Sequence, residues 1–295
     1  MRKIDKSIRD RIEALKIALR DKNNARRNVR RRGLRLHNRD VLEDARWNGV
    51  PDSAGLLSRL SRTDVPCDQP PAIDQLEGAR EIESERGRCL VLEKEIGEYV
   101  RLRNLRKAVR MLIERGVIGP PGRQRYVFLD LETTGFAATP LFLAGTMFER
   151  DGKLYCSQLL ARDYSEEQAV VDMLGGLIGD HDLCITFNGK SFDMPYLRER
   201  AKYHKLELPE IPEHLDLLHH ARRAWRHSLP DCRLATLEWY ILGRRRSGDV
   251  PGWEVPCIYH EFVHTNDSRR LMGVIRHNLL DVVSMAELLI CLAEA

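Results

Sequence analysis

The sequence predicts an α/β fold built on a mixed sheet, in which three antiparallel strands come first, parallel βαβ additions follow, and helices flank the whole. Three observations carry this prediction. Asp151-Gly152 lies between two apolar runs, residues 140 to 150 and 153 to 161, the strongest short-range hairpin signal a sequence can hold. Just upstream, Tyr126, Val127, Phe128 and Leu129 form an aromatic and β-branched run suited to a buried strand. Beyond residue 165 helical and strand patterns alternate: a helix over 166 to 178, a strand over 183 to 187, and a helix starting near Ser191. Such alternation adds parallel strands to an existing sheet.

At 295 residues and 43% hydrophobic content the chain can bury a substantial core. Its net charge of +4 conceals an asymmetry, because residues 1 to 50 hold 16 Lys or Arg against 7 Asp or Glu, leaving the remainder net acidic. The basic end suits a polyanionic partner and the acidic body a site that collects cations. The seven cysteines (67, 89, 156, 184, 232, 257 and 291) stand singly with no C-x-x-C pair, which argues against a disulfide framework or a zinc site and for a reducing compartment. No apolar run approaches the roughly 18 residues of a membrane span, so a soluble, cytoplasmic protein without membrane contact is expected.

From the N-terminus, Ile4, Ile8, Ile12, Leu15, Ala18 and Leu19 recur at helical spacing. Residues 25 to 35 follow as a dense arginine cluster, Arg26 to Arg35, which is either a nucleic-acid contact or a solvated arm. Residues 51 to 75, with Pro51, Gly55, Pro66, Pro70 and Pro71, read as linker. Residues 79 to 100 read as a hairpin around a Glu-Arg-Gly turn, and 101 to 115 as a helix. Gly116, Gly119, Pro120, Pro121 and Gly122 then mark a boundary, dividing a basic, mainly helical N-terminal region (1–118) from the α/β domain (119–295). The C-terminal third reads as helices over 216 to 228, 232 to 243, 257 to 264 and 268 to 293, with a loop over 247 to 256.

The chemistry-bearing residues sit at the edges of these elements. Asp130 and Glu132 close the first strand on one face, with Leu131 turned the other way. Like charges so placed are costly without a cation between them. Asp193 opens a helix after the Asn188-Gly189 turn, where Ser191 is a plausible N-cap and where open α/β sheets bind ligands. His277 and Asp281 share a face of the last helix, one turn apart. Each has an ordinary reading by itself: an acidic strand end, a carboxylate on a helix dipole, a surface ion pair. Together, four carboxylates supply the hard oxygen ligands that Mg²⁺ or Mn²⁺ select, enough for two ions spaced for an in-line phosphoryl displacement. His277 is then placed to take a proton from the attacking water.

D-L-E-T-T-G (130 to 135), N-x-x-x-F-D (188 to 193) and H-x-x-x-D (277 to 281) resemble, in order, the three motifs of the DEDD (DnaQ-like) superfamily of 3′→5′ exonucleases. HLDLLHHARRAW, CRLATLEWYILG, DVPGWEVP and HNLLD resemble its YprB-like, ribonuclease-H-like branch of predicted exonucleases. The resemblance covers residues 125 to 292. It implies a ribonuclease-H-like sheet, two Mg²⁺ or Mn²⁺ ions held by Asp130, Glu132, Asp193 and Asp281, with Asp130 bridging them, and DNA or RNA as substrate. His277 matches the general base, but precedes Asp281 by four residues where the histidine branch has five, about 100° of helix rotation. Thr133, Thr134, Gly135 and Asn188 are placed at the substrate's end, and Arg222, Arg223, Arg226 and Arg233 as phosphate contacts or a solvated face. Asp216 reads as an N-cap, and Trp225, Trp239, Tyr240 and Trp253 as core rather than base-stacking residues. Two other functions stay open: a non-catalytic nucleic-acid-binding protein on the same fold, and a structure-specific endonuclease.

Overall fold

The computed structural model describes residues 72–119, 125–135, 138–210 and 213–294. The helix expected over residues 4 to 19, the arginine cluster and nearly all of the linker lie outside these. Seven strands form one mixed sheet: β1 (Ala79–Ser84), β2 (Gly87–Glu95), β3 (Tyr126–Thr133), β4 (Leu141–Arg150), β5 (Lys153–Leu160), β6 (Leu183–Thr186) and β7 (Glu213–Asp216), in the order β1-β2-β5-β4-β3-β6-β7. β3, β4 and β5 pair antiparallel as expected, with Asp151 (φ +52°) and Gly152 (φ +75°) in left-handed conformations at the hairpin turn. β6 joins β3 in parallel and β7 joins β6 likewise.

Seven α-helices among the described residues cover the two faces: α1 (Leu102–Glu114), α2 (Glu167–Gly179), α3 (Asp193–Tyr203), α4 (Leu217–Trp225), α5 (Leu234–Leu237), α6 (Val255–Thr265) and α7 (Arg269–Glu294). α5 runs on into a π turn over Glu238–Leu242, closed by Gly243 at φ +69°. Strand alternation divides the core accordingly. Val127 and Leu129 point to the layer containing residues of α2, α3 and α6, whereas Tyr126 and Phe128 point to the layer containing residues of α1, α4 and the C-terminal half of α7. α7 belongs to both layers, through Leu271, Val274 and Ile275 in the first and Val282, Met285 and Leu289 in the second. Its middle turns therefore cross the sheet where the even-numbered face of β3 changes from apolar Tyr126 and Phe128 to acidic Asp130 and Glu132.

Several local details depart from expectation. The expected hairpin forms over Ala79–Glu95, and β2 pairs with β5, so two strands from before residue 118 belong to this sheet. Ser191 does not cap α3, because Phe192 takes the N-cap position and no side chain caps the helix. Its donors instead meet backbone carbonyls of the preceding turn, Met194 N–H bonding Gly189 O at 2.9 Å. Trp225 is buried as expected, but Trp239 and Trp253 are exposed, Trp253 at 77%. None of the six described cysteines is in a disulfide, and no described helix is long and apolar enough to cross a membrane.

Candidate active site

Three chain segments deliver the candidate residues. Asp130 and Glu132 end β3, Asp193 is the first residue of α3, and His277 and Asp281 lie on successive turns of α7. Two hydrogen bonds tie these segments together. The Asp193 carboxylate accepts from Leu131 N–H at 3.1 Å, and Asp130 Oδ2 accepts from Asn278 Nδ2 at 2.9 Å. Asn278 also donates to the Asp130 carbonyl at 3.1 Å and accepts from Gln158 Nε2 at 2.9 Å. Asp130, Gly145 and Gln158 form one cross-strand row, on which Asn278 lies fully buried. The row requires Gly145, since a Cβ there would stand 1.9 Å from Asn278 Oδ1.

The electrostatics follow from crowding acids without enough cations. Burial, reinforced by the charges of Asp281, Glu132 and Asp193, raises the Asp130 carboxyl well above its ordinary range. Glu132 is raised to about 8, chiefly by burial, with His277 opposing and Asp281, Asp193 and Asp249 reinforcing. Burial likewise raises Asp193 to about 7 against the opposing hydrogen bonds from backbone N–H groups. Among the described residues no three His, Cys, Asp or Glu side chains form a ready-made metal cage. Each carboxylate except Glu132 is instead drawn toward a protein donor: Asp130 to Asn278, Asp193 to Leu131, and Asp281 to the Arg246 guanidinium. The donor set is nonetheless all hard oxygen, and the mutual repulsion of these acids is what a divalent ion would relieve.

Arg246 and Asp249 enter the site from the loop after the π turn. Arg246 is held by buried Glu238 through Nε at 2.9 Å and Nη2 at 2.6 Å, and Ser284 Oγ donates to the same carboxylate. Its remaining donors reach Asp281 and, at 3.2 Å, Asp249 Oδ2. Asp249 Oδ1 lies 2.8 Å from His277 Nδ1, while His277 Nε2 lies 3.5 Å from Asp281 Oδ2. Burial would lower the His277 pKa, but Asp249, Asp281 and Glu132 together raise it to about 9.

The remaining candidates are distributed unevenly. Thr133 Oγ1 donates to Gly135 O at 2.7 Å and Thr134 Oγ1 to Pro140 O at 3.2 Å, so both hydroxyls brace the turn after β3. Asn188 holds a left-handed φ of +67° after β6. Its N–H and that of Lys190 bond Asp216, which also caps α4 by accepting from Leu218 N–H at 3.0 Å. Asp216 is thus the expected N-cap and also fixes the turn leading to Asp193. Arg222 and Arg223 are exposed on α4 and make no ion pair with the carboxylates among the described residues. Sequence reasoning assigned no role to Asn278, Gln158, Arg246, Asp249 or Glu238. Asn278 and Asp249 lie within motifs that were recognised, but only the folded chain shows what they touch.

With the geometry established, comparison with known proteins places the chain. Over 172 residues it is 35% identical to the protein YprB of Bacillus subtilis (strain 168), covering 57% of this chain and 41% of the relative. It is 30% identical over 115 residues to DNA polymerase 1 of Pyrococcus abyssi, covering 35% of this chain and 15% of the polymerase. The chain thus spans well under half the length of these relatives. A family B DNA polymerase from Pyrobaculum calidifontis aligns with a TM-score of 0.46 at 19% identity, over 57% of this chain and 24% of the polymerase. The family model described as RNase_H superfamily matches residues 127–293, from β3 into the last turn of α7, so the chain belongs to the RNase_H superfamily.

Proposed function

We propose that the protein is a metal-dependent 3′→5′ exonuclease that hydrolyses phosphodiester bonds in DNA or RNA and releases mononucleotides. One observation carries the reading: Asp130, Glu132 and Asp193 are brought together half-buried where β3 ends and α3 begins, and desolvation and neighbouring carboxylates raise all three above the ordinary carboxylate range, a costly arrangement unless cations enter. Asp130, Glu132, Asp193 and Asp281 would hold two Mg²⁺ or Mn²⁺ ions, which when bound stabilise charge on the attacking and leaving oxygens. His277 would accept the proton of the attacking water at Nε2 once the ions neutralise the carboxylates that otherwise keep its ring protonated. Asn278 aims the Asp130 carboxylate, and the turn of Thr133, Thr134 and Gly135 after β3, with Asn188 after the neighbouring parallel strand β6, borders the space where the terminal nucleotide is seated. Arg222 and Arg223 contact phosphates further along the strand. Similarity to a protein named as a DNA polymerase supports a nucleic-acid substrate. The domain on this reading begins with the hairpin at Ala79, because β2 completes the sheet through β5.

The test is purified protein with Mn²⁺ against single- and double-stranded DNA and RNA carrying either a 5′ or a 3′ label. The 3′ label should be released at once as a mononucleotide, and the 5′-labelled strand should shorten one nucleotide at a time. Internal fragments as the first products, or no cleavage of any substrate, would overturn the reading.

A further inference from the structure

We infer that Asp249 is the positioning residue of His277, an orienting carboxylate that fixes the tautomer and direction of the proton-accepting imidazole. The inference deepens the proposed function, since it rests on His277 accepting a proton at Nε2. His277 stands four residues before Asp281, one turn of α7, so the helix alone leaves its ring free to rotate about χ1 and χ2. A second contact is needed to aim it. Asp249 Oδ1 supplies that contact at 2.8 Å from Nδ1, from a loop 28 residues away in the chain. A carboxylate can only accept, so Nδ1 carries a hydrogen toward Asp249, whose oxygen at 2.8 Å is nearer than Arg246 Nη1 at 3.5 Å. Nε2 lies on the side of Asp281, 3.5 Å away, and becomes the accepting nitrogen once bound ions neutralise the carboxylates that otherwise keep the ring protonated.

Asp249 is itself immobilised, which distinguishes an orienting group from a chance surface neighbour. Its other oxygen accepts from Arg246 Nη1 at 3.2 Å, and Arg246 is anchored through two nitrogens on Glu238. Glu238 is buried on the π turn and is held in turn by Ser284 of α7. The chain Ser284, Glu238, Arg246, Asp249, His277 therefore begins and ends on α7. Rotation of the imidazole is resisted by rigid elements at both ends rather than by a mobile loop. The loop also packs close on α7, where a Cβ added at Gly273 would stand 2.8 Å from Val250 Cγ2, so the loop meets the helix on both sides of Asp249.

An Asp to Asn change is diagnostic, because an amide can donate to Nδ1 and so favour the tautomer with the hydrogen on Nε2. Asp249→Asn in the full chain should lower kcat by about 10- to 100-fold with KM within about twofold of wild type. In a His277→Ala background the same change should have less than a twofold further effect, because no ring remains to orient. Nitrogen-15 NMR of histidine-labelled, Mg²⁺-loaded full-length protein, with the signal assigned by His277→Gln, should find the hydrogen on Nδ1 in wild type and on Nε2 in Asp249→Asn. An unchanged tautomer, or multiplicative losses in the double variant, overturns the inference, the second outcome meaning that Asp249 acts through Arg246 and Asp281. Should the wild type cleave no nucleic acid, the proposed function fails while the NMR result still decides whether Asp249 sets the tautomer.

Discussion

The molecule withdraws carboxylates from water in two places, fully at one and in part at the other, and treats them in opposite ways. Glu167, the first residue of α2, is 2% exposed and surrounded by donors: Arg200 through Nε and Nη2 at 2.6 Å each, His204 Nε2 at 2.9 Å and Leu141 N–H at 2.8 Å. Burial pushes its pKa up, but these partners more than offset it and leave the group below its ordinary value. Around Asp130 the balance is reversed. Among the described residues, Asp130, Glu132, Asp193 and Asp281 share the site with Arg246 and the His277 ring as the cationic groups, and the first three are all raised. One cluster is complete within the chain and ties α2 to α3, whereas the other is short of positive charge. A protein can retain such a deficit when the missing charge arrives with a ligand.

The two clusters should therefore respond oppositely to the same kind of change. Asp130→Asn is expected to lower cleavage by roughly 10³-fold, yet to leave the metal-free protein as stable as wild type or more so, because it removes a repelled charge and little volume. Activity on end-labelled substrate and a urea melt in EDTA check the two halves. Arg200→Met does the reverse: it strips Glu167 of its cation, and breaking a buried pair in this way costs about 3–5 kcal/mol, read as a lower urea midpoint. A destabilised Asp130→Asn, or an Arg200→Met as stable as wild type, would erase the distinction.

The pH dependence sharpens the comparison with a smaller effect. Groups raised in the folded state favour it while protonated. The contribution of Asp193 and Glu132 is thus complete below the ordinary carboxylate range and lost as pH rises through about 7 and about 8. His277, raised to about 9, adds stability below its ordinary value that is lost in the same upward direction. Glu167, being lowered, contributes above its ordinary value and loses that contribution as pH falls. In EDTA the melting temperature should decline as pH rises from 5 to 8, and saturating Mn²⁺ should flatten that decline.

Much of the fold was legible because its signals are local. The Asp-Gly hairpin, the apolar run ending in Asp130 and the alternation after residue 165 each occupy a few consecutive residues, and the elements stand close to where those patterns place them. The acidic residues were legible for a different reason, since carboxylates at element edges in a recognisable order stand out even when each is ordinary by itself. What escaped was contact between distant segments. Asn278 reaches Asp130 across 148 positions and Gln158 across 120, and one asparagine among the mixed residues of α7 has no periodicity that names its partner. Arg246 and Asp249 lie in a loop, where spacing predicts little, and their roles depend on how the π turn over Glu238–Leu242 directs the chain. Ser191 was misread as a cap because its residue type fits, whereas the turn at Asn188 already supplies the acceptors.

The central claim, that the Asp130 cluster is short of cations and the Glu167 cluster is not, is tested most directly by isothermal titration of Mn²⁺ into the full-length, EDTA-stripped protein. The account predicts two ions per chain in the wild type and in Glu167→Gln, with loss of at least one ion in Asp130→Asn. Equal binding by wild type and Asp130→Asn, or none by either, would contradict it.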